Sequence, residues 1–161
     1  MTKVVFLDRD GVVNVERGEY TWKVEDFKLT VGLVGFIRAV QERGYKVIII
    51  SNQGGIGRGL FTMDDVEKAH QYLKDELAKE NLWLTDIYYC PHHPASGKCF
   101  CRKPEPLLLE KAIARYQVDV TQSYFIGDSE RDIAAGNKVG VTSILIKSND
   151  NLCDYLSLIN D

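Results

Sequence analysis

Five short apolar runs recur along this chain, separated by helical patterns, and that alternation limits the fold more than any other feature. The runs are VVFL at residues 4–7, VIII at 47–50, IYY at 87–89, YFI at 124–126 and SILI at 143–146. Each is too short for a helix, rich in β-branched or aromatic residues, and flanked by turn formers, so each reads as a buried strand. Between them the spacing predicts helices over residues 33–43, closed by Gly44; 64–79, opened by Thr62 with Asp65 three residues on; 107–116; and 131–138, before Gly140. Strands alternating with helices run parallel through right-handed crossovers, with helices on both faces of the sheet. The fold class is therefore α/β, a three-layer α/β/α Rossmann-like arrangement around a parallel sheet of about five strands.

Residues 15–30 and 91–106 follow neither period and are expected as loops at the carboxyl edge of the sheet, and the tail from 149 to 161 as a short final helix. A chain of 161 residues with 45% hydrophobic content supports one domain, 1–161. The opening MTKVVFLDRD meets an aspartate before any apolar run long enough for a signal peptide, and no stretch has the length of a membrane span, so a cytoplasmic location is expected. The net charge of −3, without a basic run, argues against a nucleic-acid surface, while local cations still suit an anionic small molecule. No helix carries an obvious spare apolar face, which favours a monomer.

In an open parallel sheet, ligands sit beyond the carboxyl ends of the strands. Asp8 and Asp10 follow the first predicted strand, Ser51 and Asn52 the second, and Asp128 and then Asp132 the fourth. Singly, such residues cap helices and start turns; Asp8, Asp10 and Asp128 together are better explained by a site. Converging carboxylates repel unless a cation lies between them, and hard oxygen donors with open positions suit Mg²⁺, which in turn favours a phosphorylated substrate. Asp8 can then attack phosphorus, and Asp10 can protonate the leaving oxygen and deprotonate water. Lys103, beside Arg102, supplies a cation for the phosphoryl group.

These residues resemble a known family. Asp8-Arg9-Asp10-Gly11 after an apolar strand, Ser51-Asn52-Gln53, Lys103, and Gly127-Asp128 with Asp132 are similar to the four motifs of the haloacid dehalogenase (HAD) superfamily of phosphatases, from about residue 4 to 146. The resemblance implies Asp8 as nucleophile, Asp10 as acid and base, and Ser51 and Lys103 on the phosphoryl oxygens. It also implies Mg²⁺ on Asp8, the Asp10 backbone carbonyl and Asp128, with Asp132 as an outer partner. Val12 stands where many members carry Thr. SNQGGIGRG at 51–59, with CPHHP and CRKP, is similar to the D,D-heptose 1,7-bisphosphate 7-phosphatases, whose relatives are the histidinol-phosphate phosphatases. The heptose resemblance implies substrate contacts from Asn52, Gln53 and Arg102, with Glu16 and Arg17 matching more loosely; Arg58 also leans toward it. The short cysteine loop and Ser129, where the heptose group would carry Lys, lean toward the histidinol type. The glycines of 54–59 lack the Gly-Lys-Ser/Thr of a P-loop and are expected to let that loop approach a ligand.

Cys90, His92, Cys99 and Cys101 form C-x-H followed by C-x-C, three thiolates and one imidazole, which suits a closed tetrahedral Zn²⁺ site of structural type. Zinc would fix the loop that carries Arg102 and Lys103, and would stand in for a large cap domain. His93 is assigned to solvent or substrate, Cys153 to a small buried apolar role, and His70 to the surface or to packing. A zinc-stabilised binding module without activity is the reading from another class; it leaves the set Asp8, Asp10, Lys103 and Asp128 without a use. A phosphomutase would use the same nucleophile but normally needs a cap.

Overall fold

The computed structural model describes residues 1–161. Its five strands are β1 (Val4–Leu7), β2 (Lys46–Asn52), β3 (Asp86–Cys90), β4 (Tyr124–Gly127) and β5 (Thr142–Leu145), all parallel in the order β3-β2-β1-β4-β5. Order reverses at β1, so the crevice between β2, β1 and β4 is the topological switch point where an α/β sheet offers a ligand site. β2 runs past the expected boundary through Ser51 and Asn52 because β3 pairs with it as far as Asn52↔Cys90. β5 begins and ends one residue earlier than expected.

Four helices cover the faces: α1 (Leu33–Glu42), α2 (Met63–Ala78), α3 (Leu107–Tyr116) and α4 (Glu130–Val139). The period-2 alternation of β1 divides the core. Val5 and Leu7 pack with Leu33, Phe36 and Ile37 of α1 and Leu73 and Leu77 of α2, while Val4 and Phe6 pack with Leu108, Leu109 and Ala112 of α3 and Ala135 of α4. Thr62 and Asp65 form the expected capping box of α2, and Ser129 with Asp132 forms a second on α4. The tail does not become an α-helix. Leu152–Leu158 is 3-10, with Leu152 buried in the α1 side of the core and Asn151 capping its start.

Residues 15–30 and 91–106 are long connections holding only the 3-10 turns Val24–Asp26 and Pro94–Ser96. Neither forms a separate cap, so both wall the crevice directly. No helix is long and apolar enough to cross a membrane.

Candidate active site

Asp8 leaves β1 at the switch point, its backbone N–H donating to the Ile126 carbonyl at 2.9 Å. The chain turns at once: the Arg9 carbonyl accepts from the amides of Val12, Val13 and Asn14, and Gly11 takes φ +85°. A Cβ at Gly11 would lie 2.1 Å from an Asp128 carboxylate oxygen, so only glycine lets the β1 and β4 ends meet.

Lys103 Nζ is nearly sealed from solvent and bonds Asp8 Oδ1 at 2.7 Å, Asp132 Oδ1 at 2.6 Å and the Ile50 carbonyl at 2.8 Å. Three acceptors match the three donors of an ammonium. Burial alone would lower the lysine's pKa, but Asp8 and Asp132 outweigh it and raise it, so Lys103 stays charged. Asp8 shifts up as well. Desolvation pushes its carboxyl well above the usual range, Lys103 pulls it back, and Asp132 and Asp128 push it up again. One ammonium does not balance three buried or half-buried carboxylates.

Oxygens of Asp8, Asp128 and Asp132 lie within 4.8 Å of one another. Asp132 has both oxygens engaged, one on Lys103 and one accepting the Ser129 amide at 3.2 Å. Asp8 and Asp128 therefore remain as carboxylate donors, and the Asp10 carbonyl accepts no backbone N–H. Hard oxygen donors with unbalanced negative charge fit a magnesium ion. Ser148, just beyond β5, donates to Asp128 Oδ2 and orients that carboxylate.

Asp10 has a different environment two residues on. Oδ1 accepts from Arg9 at 2.7 Å and Asn14 at 3.0 Å, and Oδ2 accepts from Gln53 at 3.0 Å. Desolvation pushes its pKa up, but Arg9, Asn14 and Gln53 prevail and hold it below the usual carboxylate value.

Asp8, Asp10, Asn52, Gln53, Arg102 and Glu16 all line one open cavity of about 560 Å³, together with Lys103 and Asp128. Ser51 lies beneath it, fully buried, accepting from Gln53 Nε2 at 2.8 Å. Asn52 grips the Lys103 backbone from both sides, Oδ1 accepting its N–H at 2.9 Å and Nδ2 donating to its carbonyl at 3.2 Å. Both side-chain amides thus brace the site, Asn52 on Lys103 and Gln53 between Asp10 and Ser51, at the cavity wall. Arg102 sits on the rim, donating to the His92 carbonyl. Glu16 lines the cavity, but Arg17 is turned into its own loop, bonding Tyr20, Thr21 and Asp26, and Arg58 is exposed outside the cavity.

Cys90, His92, Cys99 and Cys101 converge with their donor atoms within 4.8 Å. Sulfur separations of 3.1 and 3.7 Å from Cys90, and 3.2 Å from His92 Nδ1 to Cys101, leave these as free thiols around one point. Donors about 2.0–2.3 Å from a central ion would be separated by such distances, so the cluster fits tetrahedral zinc. Burial and the neighbouring sulfurs push the Cys90 thiol up to about 12, a cost that a bound cation removes by holding the thiolate. His93 is not part of the cluster; it caps the turn after it, Nδ1 accepting from the Ala95 amide. The glycine loop packs closely on this loop, where a Cβ on Gly57 would lie 2.8 Å from the His93 nitrogen, and its first glycine, Gly54, lines the cavity.

Of the two places expected for His70, surface or packing, the structure gives packing, buried at 2% exposure and edge-on to Tyr89, and adds a polar contact with Arg9 that the sequence does not show. Ser148 and Asn149 also escape the sequence reading, although extending the strand-end argument to the fifth strand finds them.

A HAD-hydrolase-like family model matches residues 100–156. The chain is 41% identical over 145 residues to a D-glycero-beta-D-manno-heptose-1,7-bisphosphate 7-phosphatase of Helicobacter pylori, covering 89% of this chain and 83% of that protein. It is 37% identical to a D-glycero-alpha-D-manno-heptose-1,7-bisphosphate 7-phosphatase of Campylobacter jejuni, covering 90% and 82%. Among solved structures, a D,D-heptose 1,7-bisphosphate phosphatase from B. bronchiseptica, complexed with magnesium and phosphate, superposes with a TM-score of 0.86 at 30% identity, covering 98% of this chain and 87% of that one.

Proposed function

We propose that this chain, which belongs to the D-glycero-D-manno-heptose-1,7-bisphosphate 7-phosphatase family of HAD-like hydrolases, hydrolyses the 7-phosphate of that sugar bisphosphate through an aspartyl-phosphate on Asp8. The observation that carries the chemistry is the Lys103 ammonium bonded at 2.7 Å to Asp8, at the head of a polar cavity that also receives Asp10 and Asp128.

Asp8 attacks phosphorus and the bond from phosphorus to the C7 oxygen breaks, the leaving oxygen taking a proton that Asp10 has picked up as the anionic phosphate binds beside it and raises its pKa. Asp10 then accepts a proton from water as the water oxygen attacks phosphorus, releasing phosphate and restoring Asp8. Heptose 1-phosphate and inorganic phosphate are the products. Lys103 and Ser51 hold the phosphoryl oxygens, and Arg102 at the rim, with Asn52 and Gln53, contacts the sugar phosphate. Magnesium held by Asp8, Asp128 and the Asp10 carbonyl supplies positive charge for the phosphoryl oxygens and keeps the nucleophile ionised. Zinc on Cys90, His92, Cys99 and Cys101 has a structural part, closing the loop that presents Lys103.

The test is phosphate release with Mg²⁺ from D-glycero-D-manno-heptose 1,7-bisphosphate, from each anomer, beside L-histidinol phosphate, with the product identified by ³¹P NMR. Preference for the bisphosphate with the 1-phosphate retained is expected. Preference for histidinol phosphate would overturn the substrate. Asp8→Asn should lower turnover by on the order of 10⁴-fold or more with zinc content unchanged; substantial residual activity would remove Asp8 as nucleophile.

A further inference from the structure

Arg9 occupies the middle of the DRD motif and is fully buried, yet the chemistry above does not use it. Its guanidinium packs 5.4 Å from the Phe27 ring, and its nitrogens reach three acceptors: Asp10 Oδ1 at 2.7 Å, the Thr21 carbonyl at 2.6 Å, and Nε2 of His70 at 3.3 Å. Arginine only donates, so Nε2 of His70 must accept and the ring proton must sit on Nδ1. A protonated His70 would set two donors and two positive charges face to face. The surroundings enforce the neutral form: burial and Arg9 lower the imidazole pKa to about 3 against a small opposing pull from Asp10. The ring is held in place edge-on to Tyr89 at 5.5 Å, and Tyr89 is tied by its hydroxyl to Glu67.

We infer that His70 is a positioning residue for the phosphatase reaction, acting through Arg9 to fix the carboxyl of Asp10. The inference rests on the proposed role of Asp10 as the acid. A guanidinium with three fixed acceptors has one orientation, and that orientation sets where Oδ1 of Asp10 lies. Without the His70 acceptor, Arg9 Nη1 is left buried without a partner; Nε already has none. The guanidinium then swings or draws in water, its bond to Oδ1 of Asp10 loosens, and the carboxyl is left to Asn14 and Gln53 alone. Proton transfer depends steeply on such placement. The acceptor comes from α2, and of the two catalytic aspartates it is Asp10 whose side chain the guanidinium bonds.

A leaving group that needs a proton will sense this displacement, and one that does not will ignore it. The experiment compares kcat/KM for phenyl phosphate and p-nitrophenyl phosphate in wild type, His70→Met, His70→Gln and Asp10→Asn, each with Mg²⁺ and with zinc content and melting temperature measured. His70→Met keeps the volume and removes the acceptor; it should lose about tenfold on phenyl phosphate and less than about twofold on p-nitrophenyl phosphate. His70→Gln, whose amide oxygen falls near the Nε2 position, should restore the ratio. Should His70→Met fail to fold, His70→Asn serves, since its amide falls short of Arg9. Equal losses on both substrates, no loss on either, or no rescue by glutamine would overturn the inference. Asp10→Asn should exaggerate the same selectivity; if it shows none, the acid assignment falls and the inference with it. Failure of the heptose substrate alone leaves the aryl phosphate ratio readable, so the two failures are distinct.

Discussion

The two loops that wall the cavity are held by different means. Residues 15–30 are tied by the chain's own bonds: the Thr30 hydroxyl donates to the Val12 carbonyl, Arg9 donates to the Thr21 carbonyl, and Asn149 bonds both the N–H and the carbonyl of Glu16, at 2.7 and 3.1 Å. Trp22 stacks on Phe61 across it. Residues 91–106 are tied at Ser96, which donates to the Gly57 carbonyl, at Pro104, whose carbonyl accepts from Lys138, and at Lys103; the stretch between 91 and 101 converges on metal-type donors. An unstructured loop of that length loses considerable entropy when fixed, and ligand bonds offset it from a single point. One wall should therefore resist chelation and the other should not.

The strongest way to break that contrast is Cys99→Ser. Loss of a ligand should empty the cluster and cost on the order of 10²-fold in kcat/KM, because Lys103 lies two residues beyond the last ligand and a displaced cation is a poor clamp. Metal analysis with turnover checks it; full activity without zinc would mean that the loop orders itself.

Acid should reach the first wall through His70. Its pKa falls from the ordinary 6.5 to about 3 on folding, so between those values the unfolded chain binds the extra proton and stability rises with pH. Stability is thus lost progressively as pH falls from about 6.5 toward 3. Denaturant unfolding across that window should show the slope, and His70→Gln should flatten it. An unchanged slope would mean that His70 does not hold this loop's anchor in the neutral form.

Asn52→Ala sharpens the contrast from the other side. Zinc should stay bound while kcat falls about tenfold, since the grip of β2 on the Lys103 backbone is cut. Asn149→Ala should have the smallest effect, a two- to fourfold rise in KM from about one lost side-chain clamp, with faster hydrogen exchange near Glu16 and none added near Cys99.

Strand ends make much of the proposed catalytic set legible. Asp8, Asp10, Ser51 and Asp128 each follow or close a predicted strand, and the four candidate metal donors stand out by chemistry and spacing. Arg58 and Arg17 were matched by motif position, yet side-chain direction in a loop is set by neighbours; Arg17 turns inward to Asp26 and Arg58 outward. His70 takes the packing role expected of it, but its bond to Arg9 is not legible, because helical position does not distinguish a packed ring from a bonded one.

By itself the sequence determined the alternation of strands and helices, the capping box at Thr62, and the residue types delivered to the sheet's carboxyl edge. These depend on spacing along the chain, which is local. Only the tertiary structure brought Lys103 onto Asp8 from 95 positions away, divided Asp132 between a helix cap and an ion pair, and set two aspartates of one motif on opposite pKa courses. Those outcomes depend on burial and on distances across the fold, because desolvation and Coulomb forces act through space rather than along the chain.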